Sequence, residues 1–362
     1  MKIVIAAWHL ANPHVGLGRY ARGLIEGVSH IDDGNEYLVV APCAAPWFPS
    51  RPHLRFRRIR LPLFRRRLWE QTVPNVLGEY DILHLPYDGC AARHPGRLVV
   101  TIHDVKPLLF PELAKKRGLT QAIENWWIGD RRARIDHVVT DSEHSRRDIV
   151  RHCGFAEDRI SVVFPGVDLD RFGLQSHGQG PARPYVLSVA GADPTKNLES
   201  LIAAFGRLPR AIRDRYDLVL VGDIPRRPAV RDALEAATLG EQIRFLGPQS
   251  DDRLITLYQE AALFVFPSRY EGFGLPVLEA MACGCPVISS NAASLPEVAG
   301  DAAILVDATD VAALAGEIER TLTDEARRQE LRTRGVRQAG RFTWERTARE
   351  ISAVYRRVLS GI

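Results

Sequence analysis

The chain has 362 residues, of which 46% are hydrophobic and 25% charged, and its formal net charge is +4. This composition is typical of a globular protein and excludes a disordered or fibrous chain, and at ~100–200 residues per domain the length predicts two domains. No apolar run reaches the ~18–20 residues that cross a bilayer, and the amino terminus lacks the features of a secretory signal. The five cysteines are scattered, without disulfide or metal-site spacing. We therefore expect a cytoplasmic protein with reduced thiols in its core.

Short β-branched runs alternate along the chain with longer amphipathic segments. In the first half, the runs that predict buried strands are 2–7, 37–41, 81–85, 98–103, 137–142 and 161–167. In the second half, they are 185–190, 217–222, 243–247, 262–267, 286–290 and 303–307. Apolar residues at helical spacing lie between them, as at 18–30, 197–208 and 251–261. This alternation predicts parallel sheets wrapped by helices.

A segment rich in Gly, Pro and Gln, residues 173–184, interrupts the alternation and predicts a linker. We therefore expect one domain over residues 1–172 and a second over residues 185–342, followed by an amphipathic helix over 343–362 that packs back on the first domain. The predicted fold class is α/β, with two Rossmann-like doubly wound domains. Because open parallel sheets bind ligands at the carboxyl ends of their strands, we expect these domains to face a central cleft that holds the active site.

The most informative segment passes from a predicted buried strand through a glycine-rich loop into a helix. Gly272 and Gly274 remove side-chain bulk from this loop. The backbone N–H groups of Phe273, Gly274 and Leu275 are predicted to lie at the positive end of the helix dipole. This arrangement favours a diphosphate that is held without a metal.

Two carboxylates, Glu271 and Glu279, frame the same loop. Glu271 is predicted to project toward the group on the distal phosphate, whereas Glu279, inside the helix, suits the two hydroxyls of a ribose. The alternative is an acidic pair that only complements the helix dipole.

The segment SRYEGFGLPVLEAMACGCPVI, residues 268–288, resembles the donor-binding motif of the retaining glycosyltransferases of family 4, which have the GT-B fold. The resemblance covers nearly the whole chain, because TIHDVKPLLFPE, TDSEHSRRDI and DPTKNLESLIAAF follow in the order that the family has them. LWEQTVP and HLPYDG resemble the mannosyltransferase-like members that build bacterial surface polysaccharides. The resemblance implies an enzyme that moves a hexose from a nucleotide-diphosphate sugar to a hydroxyl and keeps the anomeric configuration. It implies that the domain over residues 1–172 binds the acceptor and that the domain over residues 185–342 binds the nucleotide sugar.

The resemblance also assigns roles to single residues. It implies that the catalytic residues are His103, Lys196 and Glu271. It implies that the donor-binding residues are Gly16, Gly18, Asp104, Phe273, Gly274, Leu275 and Glu279. His103 would steady the transition state beside the donor sugar, and Lys196 would stabilise the leaving diphosphate. The chain departs from the family near Ala192, where the phosphate-binding arginine of many members is absent.

Taken without the family, the same residues leave alternatives open. His103 is also compatible with a structural role at a strand end, and Lys196 with a solvated position at a helix terminus. Asp104 either orients His103 or caps the following turn.

Of two motifs typical of other enzyme classes, one is incomplete and the other lies in an unsuitable position. Gly16 and Gly18 begin a dinucleotide-binding pattern whose third position is Ala21, but strand 37–41 ends without the acid that binds the ribose. Asp168 and Asp170 have the D-x-D form of metal-dependent glycosyltransferases, yet they lie just before the predicted linker. We therefore expect no cofactor and no metal, with the nucleotide sugar as a substrate.

The subgroup resemblance predicts transfer of mannose from GDP-mannose to a glycan or a lipid-linked acceptor in surface polysaccharide synthesis. UDP-sugars and dTDP- or GDP-deoxyhexoses are the alternative donors. A GT-B nucleotide-sugar epimerase or phosphorylase is the alternative function, and a non-catalytic nucleotide-binding scaffold is a third.

The positive charge is concentrated in the first half of the chain. Residues 1–170 carry 24 Lys and Arg against 20 Asp and Glu, whereas residues 171–362 carry 24 of each. Eight arginines occur between residues 51 and 67 without an acid among them, interleaved and followed by Leu61, Leu63, Phe64, Leu68 and Trp69. This block is either a solvated loop or a contact, over residues 51–69, with anionic lipid or a lipid-pyrophosphate acceptor. We expect a cytoplasmic enzyme that visits the inner face of the membrane and no nucleic-acid partner.

Overall fold

The computed structural model describes most of the chain, and its described residues are 1–12, 16–60, 66–91, 93–110, 132–174, 181, 183–191, 193–224, 228–237 and 239–361. The strands are β1 (Lys2–Ala6), β2 (Glu36–Ala41), β3 (Leu54–Arg58), β4 (Ile82–Leu85), β5 (Arg97–Thr101), β6 (His137–Thr140), β7 (Ile160–Val162), β8 (Tyr185–Val189), β9 (Asp217–Val221), β10 (Ile243–Gly247), β11 (Leu263–Phe266), β12 (Val287–Ser290) and β13 (Ile304–Val306).

The α-helices among the described residues are α1 (Gly16–Ser29), α2 (Arg66–Val76), α3 (Lys106–Leu109), α4 (Glu143–Asp148), α5 (Leu198–Gly206), α6 (Arg210–Arg213), α7 (Pro228–Ala237), α8 (Asp251–Glu260), α9 (Leu275–Ala282), α10 (Leu295–Ala299), α11 (Val311–Thr323), α12 (Glu325–Ala339) and α13 (Trp344–Ser360). No helix in this described part of the chain combines the length and apolar composition needed to cross a lipid bilayer.

The chain divides into two compact units. The first comprises Met1–Gly166 with Phe342–Ile362, and the second comprises Val167–Arg341. Each contains one fully parallel sheet, and the strand orders are β3-β2-β1-β4-β5-β6-β7 and β10-β9-β8-β11-β12-β13. In both, chain order reverses beside the first strand, as in doubly wound folds. The predicted fold class of two doubly wound α/β domains is confirmed.

The unit boundary lies at Gly166 rather than at the predicted residue 172. The intervening residues belong to the second unit because its side chains hold them. The Arg171 guanidinium lies 3.5 Å from the Asp251 carboxylate, and the Gln259 side chain donates to the carbonyl of Gly173 at 2.7 Å. Within the predicted linker, residues 175–180 and 182 lie outside the described part of the chain.

Strand β3 is an element that the sequence analysis did not predict, because the arginines obscured its pattern. Leu54 is buried, Phe56 is partly buried, and Arg55 and Arg57 are exposed, which is the alternation of a half-buried strand. Among the described strands, β3 pairs with β2 alone and forms one edge of the first sheet. This part of the arginine block is therefore an edge strand and not a solvated loop.

Apolar layers cover both faces of the first sheet. Ile3 and Ile5 point into one core with α1 and α13, whereas Val4 and Ala6 point into the other with Trp69 of α2. This alternation follows from the two-residue period of a strand. The cysteines are mostly core residues, since Cys90, Cys153, Cys283 and Cys285 are buried and Cys43 is partly buried.

Helix α13 packs on α1 within the first unit, and glycines allow the close approach. A Cβ atom built on Gly23 would lie 2.0 Å from Cε2 of Trp344, and one on Gly27 would lie 2.2 Å from the Trp344 carbonyl oxygen. Farther along α13, the Tyr355 hydroxyl lies 2.6 Å from Nδ1 of the buried His84. The last helix of the chain is thereby part of the first unit's core.

We expect Gly27→Ala to destabilise the first unit by about 1–3 kcal/mol, because the added methyl meets a backbone carbonyl that cannot move independently. Urea unfolding followed by tryptophan fluorescence measures this loss. The control is Gly316→Ala in α11, where the nearest atom to a new Cβ is 3.8 Å away, and where helix propensity predicts a gain of about 0.5–1 kcal/mol. Equal stability of the two variants would contradict the packing argument.

Candidate functional site

The glycine-rich loop of the second unit joins β11 to α9 at the carboxyl end of the sheet. Gly274 caps α9 with φ +118°, a conformation that favours glycine. A Cβ atom at this position would also lie 2.7 Å from Cδ2 of Leu295. The predicted donor-binding residues Phe273, Gly274 and Leu275 thus lie together at the amino end of α9, where the helix dipole favours an anion.

Lys196 and Glu271, predicted as catalytic residues on separate loops, form an ion pair. The Lys196 Nζ lies 2.7 Å from Oε1 of Glu271, and their side chains are only 17% and 10% exposed. The same ammonium lies 5.2 Å from the centre of the Phe266 ring. A positive and a negative group are thereby placed side by side next to the amino end of α9.

Two strand-end loops meet at this point because buried polar side chains tie them together. Asn197 has φ +55°, and its amide donates to the carbonyls of Pro267 at 3.0 Å and Ala308 at 2.7 Å. The Ser268 hydroxyl donates to the Thr195 carbonyl at 3.0 Å. The loops follow β8 and β11, the strands on either side of the order reversal.

The sequence analysis missed this supporting set, which includes Ser294. Its hydroxyl donates to the carbonyls of Glu271 at 2.9 Å and Phe273 at 2.7 Å. The available signal was small polar residues next to predicted buried strands, but such residues are equally common in exposed turns.

Glu279 lies on α9, and its side chain is buried. The Tyr258 hydroxyl donates to its Oε2 at 3.1 Å. This contact holds the carboxylate in one orientation. Its assignment to the donor ribose stays a prediction.

In the first unit, His103 follows β5 and is paired with Asp141, which follows β6. Nδ1 of His103 lies 2.6 Å from Oδ2 of the buried Asp141, and the Tyr20 ring meets the imidazole edge to face at 4.6 Å. Burial lowers the pKa of His103, but the Asp141 carboxylate outweighs it, and the net shift is upward. The pair therefore favours a protonated, oriented imidazole. Asp141 lies in the TDSEHSRRDI segment, yet the sequence analysis gave it no role.

The other predicted site residues of the first unit are Asp104, Gly16 and Gly18. Oδ1 of Asp104 accepts from the backbone N–H of Lys106 at 2.9 Å, so Asp104 caps the following turn. Gly16 and Gly18 lie in the first turn of α1, not in the loop before it, because the helix begins at Gly16.

The D-x-D pair of Asp168 and Asp170 and the position near Ala192, where the phosphate-binding arginine is absent, were also singled out in the sequence. Oδ1 of Asp168 accepts from the backbone N–H groups of Asp170 at 3.1 Å and Arg171 at 3.2 Å, which is the geometry of a turn cap. Among the described residues, no group of three or more His, Cys, Asp or Glu side chains could hold a metal ion. Ala192 lies outside the described residues.

Comparison with known proteins identifies the family to which this chain belongs. Residues 16–171 match the family "Glycosyltransferase Family 4", and residues 174–338 match "Glycosyl transferases group 1". The O-antigen chain mannosyltransferase B of Escherichia coli is 31% identical over 98% of this chain and 100% of its own length. The chain belongs to glycosyltransferase family 4. It is a hexosyltransferase with the GT-B fold.

Two further comparisons agree with this assignment. The serotype-specific mannosyltransferase WbdA of Escherichia coli is 33% identical over 70% of this chain, which corresponds to 32% of the WbdA length. The crystal structure of WaaG, a glycosyltransferase involved in lipopolysaccharide biosynthesis, superimposes with a TM-score of 0.73 at 15% identity, covering 98% of this chain and 99% of WaaG. At that identity, the superposition supports the fold alone.

The His103–Asp141 pair can be tested by NMR titration of the imidazole resonances of this glycosyltransferase. We expect Asp141→Asn to lower the pKa of His103 below its unperturbed ~6.5, because burial remains and the opposing negative charge is lost. Asp148→Asn is the control, since Asp148 pairs with His144 at 3.2 Å instead. A His103 pKa that does not change in Asp141→Asn would contradict the pairing.

Proposed function

We propose that this glycosyltransferase transfers mannose from GDP-mannose to a hydroxyl of a glycan or lipid-linked acceptor, with retention of configuration, in the synthesis of a surface polysaccharide. The observation that carries the proposal is the Lys196–Glu271 pair beside the amino end of α9. The choice of mannose is supported by two relatives, at 31% and 33% identity, that are named as mannosyltransferases.

In the proposed reaction, the bond from the anomeric carbon to the diphosphate oxygen breaks while an acceptor hydroxyl attacks from the same face. The leaving diphosphate gains negative charge, which Lys196 and the dipole of α9 would stabilise. The departing phosphate takes the acceptor proton, so that no enzymic base is required. We propose that no divalent metal takes part, because the ammonium and the helix terminus supply the positive potential.

The carboxylates and the histidine have separate proposed roles. Glu271 accepts hydrogen bonds from hydroxyls of the mannose and fixes the position of Lys196. Glu279 accepts hydrogen bonds from the hydroxyls of the donor ribose. His103, oriented by Asp141, lies beside the sugar and holds it during transfer.

Transfer of radiolabelled mannose to octyl α-D-mannopyranoside tests this proposal. We expect turnover with GDP-mannose, but not with UDP-glucose, that excess EDTA leaves unchanged. We expect Lys196→Ala and Glu271→Gln to lower kcat by about 10²–10³-fold, as for other groups that stabilise developing charge. Glu235→Gln in the exposed part of α7 is the control.

Several outcomes would contradict the proposed function. An unchanged rate in Glu271→Gln would exclude a catalytic role for that residue. Release of an altered nucleotide sugar without acceptor would support an epimerase instead. Loss of activity in EDTA would exclude the metal-free mechanism.

We also propose that β3 contacts anionic membrane. Arg55, Arg57, Arg58 and Arg60 are exposed along this edge of the sheet, and each basic residue near an anionic surface contributes about 1 kcal/mol. The apolar part of the predicted contact needs a correction at Trp69, which is buried and donates to the Ile59 carbonyl at 2.8 Å. Leu68 is 47% exposed, and Leu61, Leu63 and Phe64 lie outside the described residues.

Co-sedimentation with phosphatidylglycerol vesicles tests the membrane contact. We expect the triple variant Arg55→Gln, Arg58→Gln and Arg60→Gln to bind about 100-fold more weakly, because about 3 kcal/mol of attraction is lost. The control removes equal charge elsewhere, with Arg231→Gln, Arg320→Gln and Arg349→Gln. Equal binding of both variants, or binding that phosphatidylcholine vesicles match, would leave the arginines with a solubilising role only.

A further inference from the structure

The imidazole of His103 is held at both of its nitrogen atoms. Nδ1 lies 2.6 Å from Oδ2 of Asp141, and Nε2 lies 3.3 Å from the carbonyl oxygen of Pro86. These two contacts fix the line through the nitrogens, but the ring can still tilt about that line. Misplacing a group at a reacting centre by about 1 Å can cost about 100-fold in rate. A third contact is therefore needed to hold the imidazole in one orientation.

Tyr20 of α1 supplies this third contact. Its ring centre lies 4.6 Å from that of the imidazole, with an angle of 80° between the ring planes, which is the edge-to-face arrangement that aromatic pairs prefer. Only 2% of Tyr20 is exposed, so its ring is fixed by the surrounding core. Burial and the nearby charge of Asp141 raise the pKa of the Tyr20 hydroxyl, and the ring therefore stays neutral beside the histidine. The Tyr20 ring thus opposes the tilt that the two nitrogen contacts allow.

Trp344, the first residue of α13, packs against Tyr20 in turn. The two rings meet edge to face at 5.7 Å between their centres. Glycines confine Trp344 itself, because a Cβ atom on Gly23 would lie 2.0 Å from its ring and one on Gly166 would lie 2.2 Å from its backbone nitrogen. Close-packed interiors transmit strain from one side chain to the next. The orientation of His103 is therefore linked to the first turn of the last helix.

The type of residue at position 20 favours a role beyond filling the core. The other large buried residues of α1 are the aliphatic Leu24, Ile25 and Val28. Tyr20 is the single aromatic residue of this helix, and it is the one that meets the imidazole. An aliphatic side chain would also be buried there, but it would lack the fixed geometry of an aromatic pair.

We propose that Tyr20 is a positioning residue of this glycosyltransferase, which holds the His103 imidazole in the orientation that sugar transfer requires, and that Trp344 supports Tyr20 in this role. The inference rests on the proposed function, in which His103 holds the transferred sugar. It extends that function to two residues at opposite ends of the chain, on α1 and α13. Neither residue needs to touch the substrate, since both act through His103.

Steady-state kinetics of mannose transfer from GDP-mannose to octyl α-D-mannopyranoside test the inference. We expect Tyr20→Leu to lower kcat by about 10–100-fold, because the imidazole is misplaced, with little change in KM for GDP-mannose. Tyr20→Phe keeps the ring and should keep the wild-type kcat. Trp344→Leu should lower kcat in the same direction but by a smaller factor, since it acts at one remove.

The matched control is Tyr37→Leu. Tyr37 is a buried tyrosine of the same apolar core, but its ring meets His53, at 6.4 Å, instead of His103. We expect this variant to lower the thermal unfolding midpoint without lowering kcat. A loss of kcat in Tyr37→Leu that matches the loss in Tyr20→Leu would overturn the inference, because any buried tyrosine would then have the same effect.

A double-mutant cycle separates positioning from general destabilisation. In the His103→Ala background, we expect Tyr20→Leu to lower kcat no further, because a residue that acts through His103 has nothing left to position. Thermal unfolding midpoints show whether each variant is folded, and Tyr20→Met, which fills the space with a flexible chain, replaces Tyr20→Leu if the latter is not. A further loss equal to that in the wild-type background, or a loss that Tyr20→Phe shares, would overturn the inference.

The outcomes also separate the inference from the proposed function. Full turnover in His103→Ala would contradict the proposed role of His103 and the inference with it. If the wild-type enzyme transfers nothing from GDP-mannose, the proposed donor is wrong, and the NMR signal of the Nδ1–H proton of His103 in the free enzyme then decides. We expect Tyr20→Leu to lose this signal to solvent exchange and Tyr20→Phe to keep it. A signal that persists in Tyr20→Leu would overturn the inference.

Discussion

Each parallel sheet reverses its strand order once, and this reversal fixes where the polar side chains of each unit can meet. On either side of the reversal, the chain leaves the sheet in opposite directions, so two strand-end loops lie next to each other without a helix between them. In the second unit, these loops carry Lys196 and Glu271. In the first, they carry His9 and Tyr87. The same topology thus creates one place in each unit where polar side chains from distant parts of the chain can meet.

Buried hydrogen bonds then fix the positions of these strand-end loops. Asn197 joins the loops after β8 and β11 through two backbone carbonyls, and Ser294 holds the glycine-rich loop from the other side. In the first unit, Asp141 follows the neighbouring strand and holds the His103 imidazole through its Nδ1. Each group is buried, and an unpaired partner would cost about 1–3 kcal/mol. The supporting residues therefore restrict the loops to one conformation.

The first unit ends at Gly166, before the predicted residue 172, and it includes the last helix, as the sequence analysis expected. Gly166 permits the backbone of α13 to approach, since a Cβ there would lie 2.2 Å from the Trp344 nitrogen. The last helix then completes the first unit through contacts that glycines make possible. Such contacts join residues that are far apart in the chain, and a local pattern of apolar residues carries no information about them.

The amino-acid sequence predicted the fold class, most of the strands and the family, because the two-residue and 3.6-residue periods and the glycine-rich motif are local properties. It also singled out Lys196, Glu271, Glu279 and His103. It did not show the pairing of Lys196 with Glu271, the pairing of His103 with Asp141, or the burial of Trp69. The sequence also did not predict β3, because the arginines obscured the alternation of this strand. These points emerge only in the folded chain, because ion pairing, burial and the resulting pKa shifts depend on which distant side chains the sheet topology brings within a few ångströms.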